Sequence, residues 1–204
     1  MALNRPFGLA IVRGGGVNNY DGQVTRYRIP SSDGSAFYIG DHVKQVAGAD
    51  ATGTPNVQKG TGTLLQRGVI VGVENPTVGG VSIQGTVIDS TITSVPATKT
   101  RDYYVFVQDD PQVVMMMQDD GITGANLVAA SANLNSSTTI ATPSLGYQYS
   151  ANVLLSSSFA TTVGLQLKLV GLAQFPVLPG GSANAFGAVW RRGNTGIHKN
   201  HVSG

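Results

Sequence analysis

The chain has 204 residues, 13 Lys and Arg against 11 Asp and Glu, and only 12% charged residues, a size that suits one large β domain or two small ones. The lack of cysteine excludes disulfides and thiolate metal centres. A formal net charge of +2 with no Lys/Arg run argues against a surface that tracks a phosphate backbone, and no apolar run nears the length of a membrane-spanning helix, so neither nucleic acid nor membrane is an expected partner.

Residues 1–20 read as an arm. Its apolar run ends at Arg13 instead of a small-residue cleavage site, so it does not read as a secretory signal. Leu9 to Val12 suits a strand, and Gly14-Gly15-Gly16 suits a flexible joint. A β domain is expected over 21–192, with a split into two β subdomains near 96–101 as the alternative. A polar tail follows over 193–204.

Within the domain, Val24 to Ile29 alternates apolar and polar residues as a half-buried strand does. Ala36 to Ile39 and His42 to Val46 are short strands around Gly40-Asp41. Ala47 to Gly62 is expected to be an exposed loop. Leu64 to Val73 is a strong strand whose Gly68 and Gly72 point to a bulge or a close backbone approach. Val81 to Val95 reads as extended.

The segment RDYYVFVQDDPQVVMMMQDDG, residues 101–121, is the most informative. Tyr103–Gln108 and Gln112–Gln118 form two strands, interrupted at Pro111, which lacks an N–H donor. Val113, Met115 and Met117 fall on one face, and Val114 and Met116 on the other. Both faces then need a cover: the protein's own core on one side, and a second sheet or a partner chain on the other. Further strands are expected at Ala125–Ala130, at Leu165–Leu172 and at Phe186–Arg192. Leu145 to Ser158 reads as a strand, with a short helix as the alternative. Turn signals every 8–12 residues point to an all-β sandwich or barrel of short antiparallel strands, jelly-roll or β-tulip-like.

No residue set carries catalytic chemistry in the sequence, so no enzyme, cofactor or metal site is expected. His198 and His201 stand three apart without a carboxylate or Cys beside them. Asp109-Asp110 and Asp119-Asp120 lie about 25–30 Å apart along an extended strand at ~3.3 Å per residue, too far to share a site within it. They read as turn residues. Gly14-Gly15-Gly16 and Gly60-Thr61-Gly62 lack the Lys-Ser/Thr pair of a phosphate loop.

Taken in order, AFYIGDHVKQVAGADATGTPNVQKGTGTLLQRGVIVGVEN, DYYVFVQDDPQVVMMMQDDG, VGLQLKLVGLAQFP and FGAVWRR resemble the capsid-decorating or cement proteins of tailed bacteriophages. The VQDDP…QDD segment and the IGDHV turn are the most specific parts. Those proteins tend to continue past the closing strand with Asn-Asn-His-Gln; this chain continues with Arg-Arg-Gly and a longer polar tail. The resemblance implies a non-enzymatic virion protein, assembled in the host cytoplasm. It would bind the major capsid protein on the outer shell as a dimer or trimer and stabilise contacts between capsomers. Low charge and flexible ends agree with a protein that gains stability from its partners. Phe7, Val12, Arg13, Met116, Trp190 and Arg191 are the expected interface residues, because aromatics, Met and Arg are enriched at interfaces. The alternative is a head-fibre or tail adhesin module that recognises host-surface glycan through its polar loops, with Tyr147 and Tyr149 stacking on sugars.

Overall fold

Alternation builds the first barrel strand: in Thr25–Ile29, Tyr27 and Ile29 are buried while Arg26 and Arg28 keep partial exposure. The computed structural model describes residues 8, 10–13, 22–60, 66–74, 92–110, 113–118, 135–136, 149–153, 167–172 and 188–193. Twelve strands lie among them: β1 (Ala10–Arg13), β2 (Thr25–Ile29), β3 (Phe37–Tyr38), β4 (His42–Ala49), β5 (Pro55–Lys59), β6 (Gly68–Val73), β7 (Ser94–Val95), β8 (Tyr103–Gln108), β9 (Val114–Gln118), β10 (Asn135–Ser136), β11 (Leu167–Leu172) and β12 (Ala188–Gly193).

Five of them close a barrel in the order β2-β5-β4-β6-β8, and β8 pairs back onto β2. The β2–β5 contact is parallel and the other four are antiparallel, so the barrel is mixed instead of purely antiparallel. Read from β6, the ring runs β6-β8-β2-β5-β4 and returns to β6. Tyr27, Ile29, Val43, Val57, Ile70, Val73, Val105 and Val107 fill the core, joined by Phe37 of β3 and Val95 of β7. Closure leaves few strand edges to template pairing with other chains.

A separate antiparallel sheet has the order β1-β9-β12-β11-β10. Val113, Met115, Met117 and Leu167 are all buried. Their register positions agree: Met115 pairs with Arg191 and Met117 with Val189, while Leu167 pairs with Gly193, one step past Arg192, the partner of Val114. One face of this sheet is therefore covered, as the alternation of Val113, Met115 and Met117 predicts.

The all-β class and a barrel are observed, without the specific strand order of a jelly roll or a β-tulip. Tyr103–Gln108 forms a strand with the expected bounds, and the second strand of that segment starts at Val114. The two do not pair, since β8 belongs to the barrel and β9 to the separate sheet. The bulge in β6 falls between Ile70 and Gly72. Gly68 lies so close to β8 that an added Cβ would strike the Gln108 carbonyl and sit 2.7 Å from Val107 Cγ1.

The expected loop from Ala47 to Gly62 is instead the end of β4, a turn, and β5. Asp50 makes this turn by accepting the N–H groups of Thr52 and Thr54 at 2.8 and 2.9 Å. Pro55 is tolerated because it opens its strand. The expected strand at Ala125–Ala130, most of Val81 to Val95, and most of Leu145 to Ser158 lie outside the described residues. Residues 149–153 are described, and Tyr149 makes a parallel bridge to Ile39.

Candidate functional site

Asp41 organises the most densely bonded polar site among the described residues. It follows the Gly40 turn and directly precedes β4, and its own backbone is held by Ile70 N–H donating to its carbonyl at 2.9 Å. Its Oδ2 accepts from the Tyr38 N–H at 3.0 Å and lies 3.1 Å from Lys59 Nζ. Its Oδ1 accepts from Ser150 Oγ at 2.5 Å and from Asn152 Nδ2 at 3.0 Å. Asp41, Ser150 and Asn152 are fully buried, and the Lys59 side chain is 14% exposed. Burial pushes the Asp41 carboxyl above its ordinary range, while Lys59, Ser150 and the Tyr38 N–H pull it back. Lys59 also donates to the Ala36 carbonyl at 3.1 Å. Ser150 N–H donates to the Ile39 carbonyl at 2.9 Å, so segment 149–153 is anchored to the barrel by both backbone and side chains.

His42 follows directly and is fully buried. Burial holds its pKa down at about 4, with the charge of Lys59 acting in the same direction and a backbone bond at Gly60 acting against it. The imidazole is therefore neutral at ordinary pH. Gly60 leaves room for it, because a Cβ there would strike the His42 ring.

A second cluster closes one end of the barrel. Tyr27 Oη donates to Asp109 Oδ2 at 2.9 Å, Thr25 Oγ1 donates to Oδ1 at 3.1 Å, and Arg67 Nη2 reaches Oδ2 at 3.0 Å. Arg67 Nε also donates to Tyr27 Oη. Burial pushes the Tyr27 phenol up to about 12. Asp109 is thus a structural acceptor that binds β2, β8 and the residue preceding β6 together, a larger part than the turn role expected of it.

On the outer side of β2, Arg26 forks onto Glu74 at 2.5 and 3.2 Å and stacks over the Tyr104 ring at 3.6 Å. Arg28 pairs with Asp102 at 2.7 Å. Every one of these cations has its carboxylate within the same unit.

The five strands of the separate sheet contain Arg13, Lys168, Arg191 and Arg192 and no Asp or Glu in their own sequence. Register sets Arg13 opposite Val114, Val114 opposite Arg192, Arg192 opposite Lys168, and Lys168 opposite Asn135. The neighbouring row on the same face runs Ala10, Met116, Trp190, Gly171. Of the expected interface residues, Met116 and Trp190 are thus cross-strand partners, and Arg13 lies in the adjacent row. Val12 falls at the register shift of β1. Arg191 takes a register position on the other face, opposite Met115 and Leu169. Phe7, His198 and His201 lie outside the described residues.

Sequence reasoning missed the Asp41 cluster. Gly40-Asp41 reads locally as a turn, and nothing local links it to Ser150 and Asn152 more than a hundred positions on, separations of 109 and 111 residues. Among the described residues no group of three or more His, Cys, Asp or Glu is arranged to hold a metal ion, and no helix is long and apolar enough to cross a membrane. No family model, no curated protein and no solved structure matches the chain.

Proposed function

We propose that this chain is a structural protein of a tailed-bacteriophage virion, bound to the outer surface of the capsid, where it stabilises contacts between capsomers. The observation that carries this reading is the segregation of charge. The barrel unit neutralises Arg26, Arg28, Lys59 and Arg67 with its own carboxylates. The sheet strands hold cations only, and Lys168 and Arg192 are direct cross-strand partners. Like charges placed opposite each other are destabilising in an isolated sheet. An acidic surface on a shell protein would turn that cost into attraction, and Met116 and Trp190 in the next row suit the apolar part of such a contact. The pattern resemblance to cement proteins points the same way. A homo-oligomer on the shell, dimer or trimer, belongs to this reading, as does the major capsid protein as partner.

The test is reconstitution. Purified protein mixed with empty capsids should co-sediment at a saturating, fixed stoichiometry. Absence of the chain from purified particles, together with no binding to empty capsids, ends the reading.

Tyr149, which is 48% exposed and the one large apolar residue that stands out among the described residues, favours a second reading as a glycan-binding head-fibre or adhesin module. A glycan array probed with capsid-free protein separates the two. Binding lost in Tyr149→Ala supports the adhesin, and an array without signal removes it.

A further inference from the structure

We propose that Lys59, Asp41 and Asn152 form an autocatalytic isopeptide centre, in which the Lys59 amine bonds to the Asn152 side-chain carbonyl carbon. The three residues come from separate segments and meet on one carboxyl group. Asp41 Oδ2 lies 3.1 Å from Lys59 Nζ, and Asp41 Oδ1 lies 3.0 Å from Asn152 Nδ2. A single acid thus bridges an amine nucleophile and an amide electrophile, with Asp41 and Asn152 fully buried.

The supporting bonds hold this arrangement from both sides. The Ala36 carbonyl holds the amine at 3.1 Å. Ser150 Oγ donates to Asp41 Oδ1 at 2.5 Å and accepts the Asn152 backbone N–H at 3.2 Å, which orients the amide on the acid. An ion pair alone would not require an Asn amide on the second oxygen of the carboxyl group.

The chemistry balances without a cofactor. Transfer of one proton from the Lys59 ammonium to Asp41 Oδ2 frees the amine, which attacks Asn152 Cγ. Asp41 delivers that proton to the departing amide nitrogen and takes up the one released from the attacking nitrogen. The Cγ–Nδ2 bond breaks, ammonia leaves, and a Cγ–Nζ amide bond remains. One amide replaces another, so nothing is oxidised or reduced. Lys59 and Asn152 share the two oxygens of one carboxyl group, and burial of Asp41 and Asn152 keeps competing water away. Burial also favours the protonated form of Asp41, which suits a proton carrier. The product would tie segment 149–153 covalently to β5.

The test is the intact mass of the full chain, purified from expressing cells and measured denatured. The expected mass is lower than that of the sequence by one ammonia. A tryptic digest should show no cleavage after Lys59 and one branched peptide that joins Lys59 to Asn152. Lys59→Arg, which keeps the cation beside Asp41, and Asp41→Ala should both restore the full mass. If Asp41→Ala does not fold, Lys59→Arg still decides. A full mass with normal cleavage after Lys59 overturns the proposal. So does an ammonia deficit with linear peptides at both positions. Capsid binding is read separately, so loss of either proposal leaves the other standing.

Discussion

At the residue scale, buried polar groups dominate, and their cost sets what substitution and pH will do. His42 has a folded pKa held at about 4, below its ordinary 6.5. Between those values the unfolded chain binds a proton that the folded chain does not. The stability contribution of the neutral imidazole is therefore complete above pH 6.5 and is lost as the pH falls toward 4. The gap allows an effect of about 3 kcal/mol at 1.36 kcal/mol per pKa unit. Asp41 acts with the opposite sign: its raised pKa favours the fold at low pH, and that contribution fades as the pH rises through the folded value. Urea unfolding at several pH values, for the parent and for His42→Gln, separates the two. The variant should lose most of the acid-side slope; an unchanged slope contradicts a buried neutral His42. Tyr27→Phe should cost about 2–3 kcal/mol, because the hydroxyl bonds two charged partners, Asp109 and Arg67, and the loss is read from the same unfolding curves. Asp41→Ala should cost more, about 3–5 kcal/mol, because it leaves Lys59 without a counter-charge and Ser150 and Asn152 without their acceptor.

At the element scale, close approach of strands matters more than strand propensity. β6 and β8 meet so closely at Gly68 that a methyl group would strike the Gln108 carbonyl. Gly68→Ala should lower stability by at least about 1–3 kcal/mol, the usual cost of overpacking. Gly34→Ala meets nothing within 4 Å and should change stability by less than about 0.5 kcal/mol. Thermal unfolding of the two variants side by side checks the contrast. Strand existence was legible where aromatic and β-branched residues run together, as in β8, or alternate, as in β2. The β4–β5 hairpin was not. Its Gly, Ala and Thr content resembles a loop, and its strand character depends on Asp50 accepting from Thr52, Thr54 and Tyr104. Tyr104 lies on β8, so that support is invisible to any local reading.

At the scale of the whole molecule, charge is divided between a barrel that closes on itself and a sheet that holds only cations in its strands. Exchange of both Lys168 and Arg192 for Glu should weaken capsid binding by about tenfold or more, as removal of attractive contact charges does. Raised salt should weaken the parent more than this variant, because screening acts on the charges the variant no longer has. Co-sedimentation across a salt series measures both effects. Equal binding by parent and variant would place the contact elsewhere on the chain.

The sequence by itself determined the all-β class, the strands with strong alternation, and the coverage of one β9 face, because these depend on residue type and spacing within a few positions. Only the tertiary structure decided that the ring closes through a parallel β2–β5 contact, that β8 and β9 part into different sheets, and that Asp41 meets Lys59, Ser150 and Asn152. Those outcomes rest on pairings between residues far apart in the chain. Ring closure and burial select them, and no local pattern records either.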